Sequence, residues 1–240
     1  MASATYLVDL DSRTWERRIA ENPLVILPVG ALEAHGPHLP LGADQIQAES
    51  TSRSLAERTA AVIAPTLPYG VAPEASRFPG TVSLRISELS RCASGVLREL
   101  ARMGVRRILV LSGHAERSHM AALREAAEEA MRASPTTRIV VLSDYDFVYE
   151  LRGELAPPTD GHGGLLETSR VLALAGDRVG SARPVVTRRG SPFVPGPQGP
   201  EAWPESLVGD TRPASAEIGN RIQEHVLRRL EETVRELLPK

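Results

Sequence analysis

The stretch LVILPVGALEAH, residues 24–35, decides the fold class of this chain. Its first six residues are apolar and are followed by Gly30, a pattern that predicts a strand buried on both faces and ended by a turn. A comparable run at residues 107–112 predicts a second buried strand. Elsewhere, short β-rich runs alternate with longer stretches of helical periodicity. This alternation predicts a mainly parallel sheet with helices on both faces, which is a three-layer α/β/α fold.

The remaining predicted elements continue this alternation. Gly104 follows a helical stretch and is typical of a helix C-terminus. Residues 191–204 are rich in proline and are predicted to form a surface loop or lid, because such a segment cannot run through a sheet. No repeat is present, and residues 1–240 are predicted to form one domain. Further strands are predicted at residues 61–66 and 138–142, and helices at residues 44–58, 88–103, 118–133, 164–174 and 214–238.

The composition is that of a globular protein, because hydrophobic residues make up 42% and charged residues 24% of the chain. The 28 basic and 30 acidic side chains give a formal net charge of -2, which argues against nucleic acid as the main partner. No run approaches 18 apolar residues and the N-terminus lacks a signal-peptide pattern, so no membrane partner is expected. The single cysteine, Cys92, excludes an intramolecular disulfide and fits a reducing, cytoplasmic location.

Two pairs of polar residues repeat one spacing. Glu33 and His35 follow the strand at residues 24–29, and His114 and Glu116 follow the strand at residues 107–112. Residues two apart in an extended chain point to the same side, and sites in parallel sheets form beyond the carboxyl ends of the strands. We therefore expect these side chains to converge, together with Asp44 at the start of a predicted helix. Imidazole and carboxylate ligands suit zinc or manganese.

The charge of this group indicates how many cations it would hold. Glu33, Asp44 and Glu116 supply three negative charges, which would repel one another if left uncompensated. Two divalent cations and one hydroxide neutralise the group, so we expect two metals that share Asp44. Taken singly, Glu33 would be read as a surface charge and Asp44 as a helix N-cap. The repeated spacing after two strands favours the metal site.

A third segment, DGHGGLLETS at residues 160–169, places His162 before a predicted helix and Glu167 one turn into it. A histidine near a dinuclear centre can donate a proton to a leaving nitrogen or stabilise an oxyanion. Among the other histidines, His119 and His225 are predicted to be structural, and His38 is left open between the two readings.

Five segments of the chain resemble the creatininase (creatinine amidohydrolase) family. This resemblance implies a three-layer α/β fold and a dinuclear site of zinc, manganese or iron that hydrolyses non-peptide carbon–nitrogen bonds. It also implies a homo-oligomer, such as a hexamer. The segments are PVGALEAHGPHLPLGAD at residues 28–44, RFPGTVSL at 77–84, SGHAE at 112–116, HGGLLETS at 162–169 and GDTRPASAE at 209–217.

The resemblance also implies a role for each site residue. One metal would take Glu33, Asp44 and His114. The other would take His35, Asp44 and Glu116. His162 matches the catalytic histidine of the family. Glu167 matches an acidic position beside the site, as a ligand or just behind one, and either Glu116 or Glu167 would accept the proton from water.

The substrate is expected to be a small amide, a lactam or a cyclic amide. Members of the family that act on creatinine surround it with tryptophans, which are absent here at residues 144–147 and 157–159, so creatinine itself is not expected. Arg117 and Tyr145 are candidate substrate contacts. Within the family, the alternatives are a formamide hydrolase and a peptidase that matures the mycofactocin precursor. Outside catalysis, the alternative is a scaffold with a vestigial metal site.

Overall fold

The computed structural model describes residues 4–187, 194 and 201–240. Its main sheet has five strands in the order β1-β3-β2-β4-β5, and every neighbouring pair is parallel. A small antiparallel pair, β6 and β7, lies apart from this sheet. The strands are β1 (Thr5–Tyr6), β2 (Leu24–Val29), β3 (Val62–Ile63), β4 (Arg107–Ser112), β5 (Arg138–Ser143), β6 (Val185–Val186) and β7 (Gly209–Asp210).

Helices cover both faces of the sheet, which confirms the predicted α/β/α architecture. Helices α3 and α4 pack against each other on one face, whereas α2, α6 and α7 lie together on the other. The helices are α1 (Ser12–Ala20), α2 (Ala43–Thr59), α3 (Ile86–Arg102), α4 (Arg117–Ala133), α5 (Tyr145–Val148), α6 (Leu165–Ala175) and α7 (Ala216–Leu237).

The alternation of side chains along β2 divides the core into two layers. Leu24 and Ile26 pack with residues of α2 and α7, whereas Val25 and Leu27 pack with residues of α3 and α4. All six residues of β2 are buried. Because both faces of this strand are covered by helices, polar side chains on either face would be buried, which explains why its sequence is an unbroken apolar run.

The predicted elements lie close to the observed ones, with β2 and the strand at 107–112 matching in full. The strand predicted at residues 61–66 is shorter than expected, because only Val62 and Ile63 pair in the sheet before Pro65. Most of the predicted loop at residues 191–204 lies outside the described residues. No helix in the described part of the chain has the length and apolar character needed to cross a bilayer.

Candidate metal centre

The candidate centre forms where β2 and β4 end side by side. Val29 pairs with Ser112 at the last position of the two strands, and a glycine follows each of them. The chain then delivers Glu33 and His35 from the β2 end and His114 from the β4 end. The sheet register therefore explains why residues 79 or more positions apart meet.

The glycines after the strands allow α2 to begin directly against them. A Cβ atom on Gly113 would lie 2.1 Å from the carbonyl oxygen of Asp44, and one on Gly30 would lie 2.8 Å from Cα of Gln45. Both contacts are with backbone atoms that have little freedom to move. Asp44, the second residue of α2, is thereby held between the two strand ends.

Two groups of ligand atoms share Asp44. In the first, His114 Nδ1 lies 3.2 Å from Glu33 Oε1 and 3.1 Å from Asp44 Oδ2. In the second, His35 Nε2 lies 3.3 Å from Asp44 Oδ1 and 3.5 Å from Glu167 Oε1. The two carboxylate oxygens of Asp44 thus face different groups, which is the arrangement expected of a ligand that bridges two cations.

Three histidines share one hydrogen-bonding pattern, in which one ring nitrogen bonds to a backbone carbonyl oxygen. A carbonyl oxygen only accepts, so that ring nitrogen carries the proton and the other nitrogen faces the carboxylates. This outer bond fixes the tautomer and orientation of a metal-binding histidine. The bonds are His35 Nδ1 to Glu33 O (3.0 Å), His114 Nε2 to Val71 O (3.1 Å) and His162 Nε2 to Ala34 O (2.7 Å).

The buried polar atoms of the centre fit a divalent metal. Glu33 Oε1, His35 Nε2 and Asp44 Oδ2 are buried and have no hydrogen-bond partner within the described part of the chain. Burying such atoms without partners is costly, and a cation would compensate them. The donor set of imidazole nitrogens and carboxylate oxygens suits zinc, manganese or iron.

The electrostatics of the centre place protons where the cations would bind. Burial alone would lower the pKa of His35, but the nearby carboxylates of Glu167 and Asp44 raise it well above its usual range. His114 behaves in the same way beside Glu33 and Asp44. Burial alone would raise the pKa of Asp44, yet the two histidines lower it to about 2. Protons and metal ions therefore compete for the same nitrogens.

The carboxylate beside His35 and Asp44 is Glu167, whereas the family resemblance implied Glu116. Glu116 lies just before α4, and its carboxylate accepts hydrogen bonds from His119 N (2.8 Å) and Ser118 Oγ (3.0 Å). This N-cap role turns it toward the first turn of the helix, and it belongs to none of the ligand groups among the described residues. The structure therefore places Glu167 rather than Glu116 beside His35 and Asp44, and the role of Glu116 as a ligand stays a prediction.

The two predicted substrate contacts differ in their placement. Tyr145 is buried, and its hydroxyl lies 2.9 Å from Glu167 Oε1 and 2.8 Å from Gln47 Oε1. Tyr145 begins α5 directly after the end of β5 and contacts Glu167 there, and its contact with substrate stays a prediction. Arg117 is exposed at the first position of α4, next to Glu116, and its contact with substrate stays a prediction.

His162 lies beside the ligand groups, and its catalytic role stays a prediction. Its ring stacks on the ring of His35 with centroids 4.1 Å apart, and its Nδ1 lies 3.5 Å from Glu33 Oε1. The ring of Trp203 also lies against His162, with ring centroids 4.9 Å apart. This tryptophan comes from the end of the proline-rich segment, so sequence position alone did not place it here.

Sequence reasoning missed two residues that support the ligands. Gln47 lies on α2 three residues after Asp44, and its Nε2 donates to Glu167 Oε1 (3.0 Å). His119 is fully buried, lies 3.0 Å from Ser112 Oγ through Nε2, and packs edge-on against His114. Its structural role was predicted, but its place beside the centre was not. Helical spacing from Asp44 was the one signal that could have found Gln47.

Comparisons with known proteins match this chain over most of its length. The family model described as Creatininase: Creatinine amidohydrolase matches residues 9–234. Creatinine amidohydrolase of Pseudomonas putida is 33% identical over 100% of this chain and 99% of its own length. The mycofactocin precursor peptide peptidase of Mycolicibacterium smegmatis is 31% identical over 65% of this chain and 60% of its own length.

Solved structures share the fold over the whole chain. A manganese form of creatininase matches with a TM-score of 0.90 at 29% identity, covering 99% of this chain and 100% of that one. A zinc–zinc form of a creatininase variant matches with a TM-score of 0.88 at 29% identity, covering 100% of both chains. A creatininase variant complexed with creatine matches with a TM-score of 0.89 at 29% identity, covering 99% of this chain and 100% of that one.

Proposed function

Because this chain belongs to the creatininase family, we propose that it is a metal-dependent amidohydrolase that cleaves the carbon–nitrogen bond of a small amide, lactam or cyclic amide. The family assignment confirms the resemblance found in the sequence and the hydrolase class that it implied. Two divalent cations per chain, of zinc, manganese or iron, belong to this proposal.

One observation carries the proposal: the two oxygens of Asp44 face two separate ligand groups. His114 and Glu33 stand on one side, and His35 and Glu167 stand on the other. In each neutral histidine ring, the hydrogen bond to a backbone carbonyl oxygen keeps the proton on the outer nitrogen. The nitrogen that faces Asp44 is then free of a proton and can bind a metal. A protein without a metal would gain nothing from placing three buried carboxylates this close together.

The bound cations would supply an acidified water and a polarised substrate carbonyl. The residues of the chain would then manage the protons. Glu167 or Glu116 would accept the proton that water gives up when its oxygen attacks the carbonyl carbon. The carbon–nitrogen bond breaks as the leaving nitrogen takes up a proton.

His162 is the candidate donor of that proton. Its Nε2–H is committed to the carbonyl oxygen of Ala34, so only Nδ1 faces the centre. His162 can therefore donate from Nδ1 only when its ring is doubly protonated, and in that state it can also stabilise an oxyanion. The stacking of His162 on His35 holds the ring in this orientation.

The substrate class distinguishes the proposal from its closest alternatives. The similarity to a mycofactocin precursor peptide peptidase over 65% of the chain favours a peptidase as the second candidate. A formamide hydrolase and a scaffold with a vestigial site are the other readings. The sequence argues against creatinine, because the tryptophans expected around that ring are missing at residues 144–147 and 157–159.

A substrate screen tests these readings directly. The protein loaded with manganese or zinc would be offered cyclic amides, linear formamides and short peptides, with an Asp44→Asn variant as the control. We expect hydrolysis of a small or cyclic amide by the wild type and none by the variant. Cleavage of peptides alone would favour the peptidase, and a wild type that holds fewer than two metals per chain would contradict the proposal.

A homo-oligomer, such as a hexamer, in a reducing cytoplasm completes the proposal, together with a single domain over residues 1–240. Light scattering coupled to size-exclusion chromatography would measure the assembly. A monomer at micromolar concentration would contradict the proposed homo-oligomer and would leave the proposed hydrolysis unaffected.

A further inference from the structure

A fully buried ion pair lies behind the candidate centre. Asp144 directly follows β5, and Arg170 lies on α6 three residues after Glu167. Arg170 Nη2 lies 2.7 Å from Asp144 Oδ2, and both side chains are 0% exposed. The pair therefore ties the end of β5 to the helix that carries Glu167.

The same guanidinium nitrogen reaches two further helices. It lies 3.3 Å from Thr51 Oγ1 on α2 and 3.5 Å from Gln223 Oε1 on α7. Because α2 also carries Asp44, Arg170 connects the helices that supply two of the candidate ligands. Its contact with α2 is at Thr51, seven residues beyond Asp44, whereas Glu167 lies only three residues before Arg170 on the same helix.

Tyr145 links this pair to Glu167. It is the residue after Asp144, and its ring lies 5.3 Å from the guanidinium carbon of Arg170, within the range of a cation–π contact. Its hydroxyl, which is protonated at neutral pH, lies 2.9 Å from Glu167 Oε1 and 2.8 Å from Gln47 Oε1. The charged carboxylate is the stronger of these two acceptors.

Protein donors orient both oxygens of Glu167. Tyr145 and Gln47 Nε2 (3.0 Å) contact Oε1, and the backbone N–H of Gly163 donates to Oε2 (2.8 Å). With these bonds in place, Oε1 still lies 3.5 Å from His35 Nε2. The carboxylate is therefore held in one orientation by groups outside the ligand cluster.

The ion pair is poorly suited to a role in stability alone. Arg170 Nε and Nη1 and Asp144 Oδ1 are buried and have no hydrogen-bond partner within the described residues. A buried pair with unsatisfied atoms loses much of its Coulomb energy to desolvation, and apolar residues of similar volume would often serve stability as well. Its clear consequence is geometric, because it fixes the position of Tyr145 relative to α6.

We propose that Tyr145, supported by the Asp144–Arg170 pair, is a positioning residue for Glu167 and sets the affinity of the metal position formed by His35, Asp44 and Glu167. The position formed by Glu33, Asp44 and His114 lies outside its control. The inference rests on the proposed function, since it takes Glu167 as a metal ligand. Residues that orient a metal ligand commonly change metal affinity by about 10- to 100-fold when removed.

The test measures each metal position separately. Tyr145→Phe removes the hydroxyl and keeps the ring, and Tyr149→Phe makes the same change on a ring that is 36% exposed on the same segment. A double variant, Asp144→Asn with Arg170→Met, removes both buried charges together. Manganese titrations would give the two affinities, and anomalous diffraction at a fixed free manganese concentration would give the occupancy of each position.

We expect Tyr145→Phe and the double variant to bind manganese about 10-fold or more weakly beside His35, with the position beside His114 unchanged and Tyr149→Phe like the wild type. Equal weakening of both positions, or unchanged binding in both test variants, would overturn the positioning role. A wild type that binds fewer than two manganese ions would overturn the proposed function, and this inference with it. The wild-type stoichiometry therefore tells the two failures apart.

Discussion

Replacing Gly113 by alanine would perturb the candidate centre through one added methyl group. The new Cβ would lie 2.1 Å from the carbonyl oxygen of Asp44 and 3.1 Å from the amide nitrogen of Ala48, both backbone atoms of α2. Ordinary contact begins near 3.4 Å, so the start of α2 and the turn after β4 must separate by about 1.3 Å. Because Asp44 is the shared ligand, this separation would pull it away from His114.

We expect Gly113→Ala to lower the free energy of unfolding by about 1–3 kcal/mol or more, as overpacking of a tight core does. For a chain of this size that corresponds to a fall in Tm of about 2–4 °C per kcal/mol. A displacement of about 1 Å at a catalytic ligand can also lower the rate about 100-fold. We therefore expect Gly113→Ala to lose most of its activity even at temperatures where it stays folded.

The matched control is Gly95→Ala on α3, where the added Cβ meets no atom within 4 Å. This control should stabilise the protein by about 0.5–1 kcal/mol, because alanine favours a helix more than glycine does. The assays are thermal unfolding and metal content per chain. If Gly113→Ala matched the wild type in Tm and in bound metal, the close approach of Asp44 to the β4 turn would be refuted.

Three further predictions follow from the charges and bonds of the centre. His162→Ala should reduce the turnover of a confirmed substrate by about 100-fold or more with the metal content unchanged, and full turnover would disprove its proton-donating role. Glu167→Gln should lower the metal content beside His35, which elemental analysis after dialysis would show, and two retained metals would contradict its role as a ligand. The pKa values of His35 and His114 are raised in the folded protein. Their protonation therefore contributes fully to the free energy of unfolding below the pKa of unfolded histidine, about 6.5, and this contribution is lost as pH rises through the pKa values of the folded protein. The Tm of the metal-free protein should therefore fall from pH 6 to pH 9 whereas metal-loaded protein gains stability relative to it, and a metal-free Tm that rises over this range would contradict the assignment.

The sequence predicted the parts of the fold that depend on long, regular patterns. β2 is buried throughout and β4 is buried from its second residue, and the apolar residues of both strands determine their position and their burial on two faces. The strands β1, β6 and β7 have two residues each, which is too short for any periodicity to show. They form because neighbouring elements bring their backbones together.

The candidate site likewise has residues that a regular pattern predicts and residues that it does not. Glu33, His35 and His114 follow strand ends at a fixed spacing, so their convergence could be predicted from the parallel sheet. The sequence could not decide whether Glu116 or Glu167 lies beside His35, because this depends on the use of Glu116 as the N-cap of α4. The place of Tyr145 behind Glu167 likewise depends on packing between α5 and α6, which no local pattern records.

Anomalous diffraction from crystals of protein loaded with manganese or zinc would show whether Asp44 is shared between two metal positions. We expect two peaks per chain about 3.5–4 Å apart, with one oxygen of Asp44 within about 2.0–2.2 Å of each. His114 and Glu33 should bind one ion, and His35 and Glu167 the other. A single peak, or none, in metal-replete crystals whose protein still hydrolyses its substrate after chelation would contradict a two-metal centre.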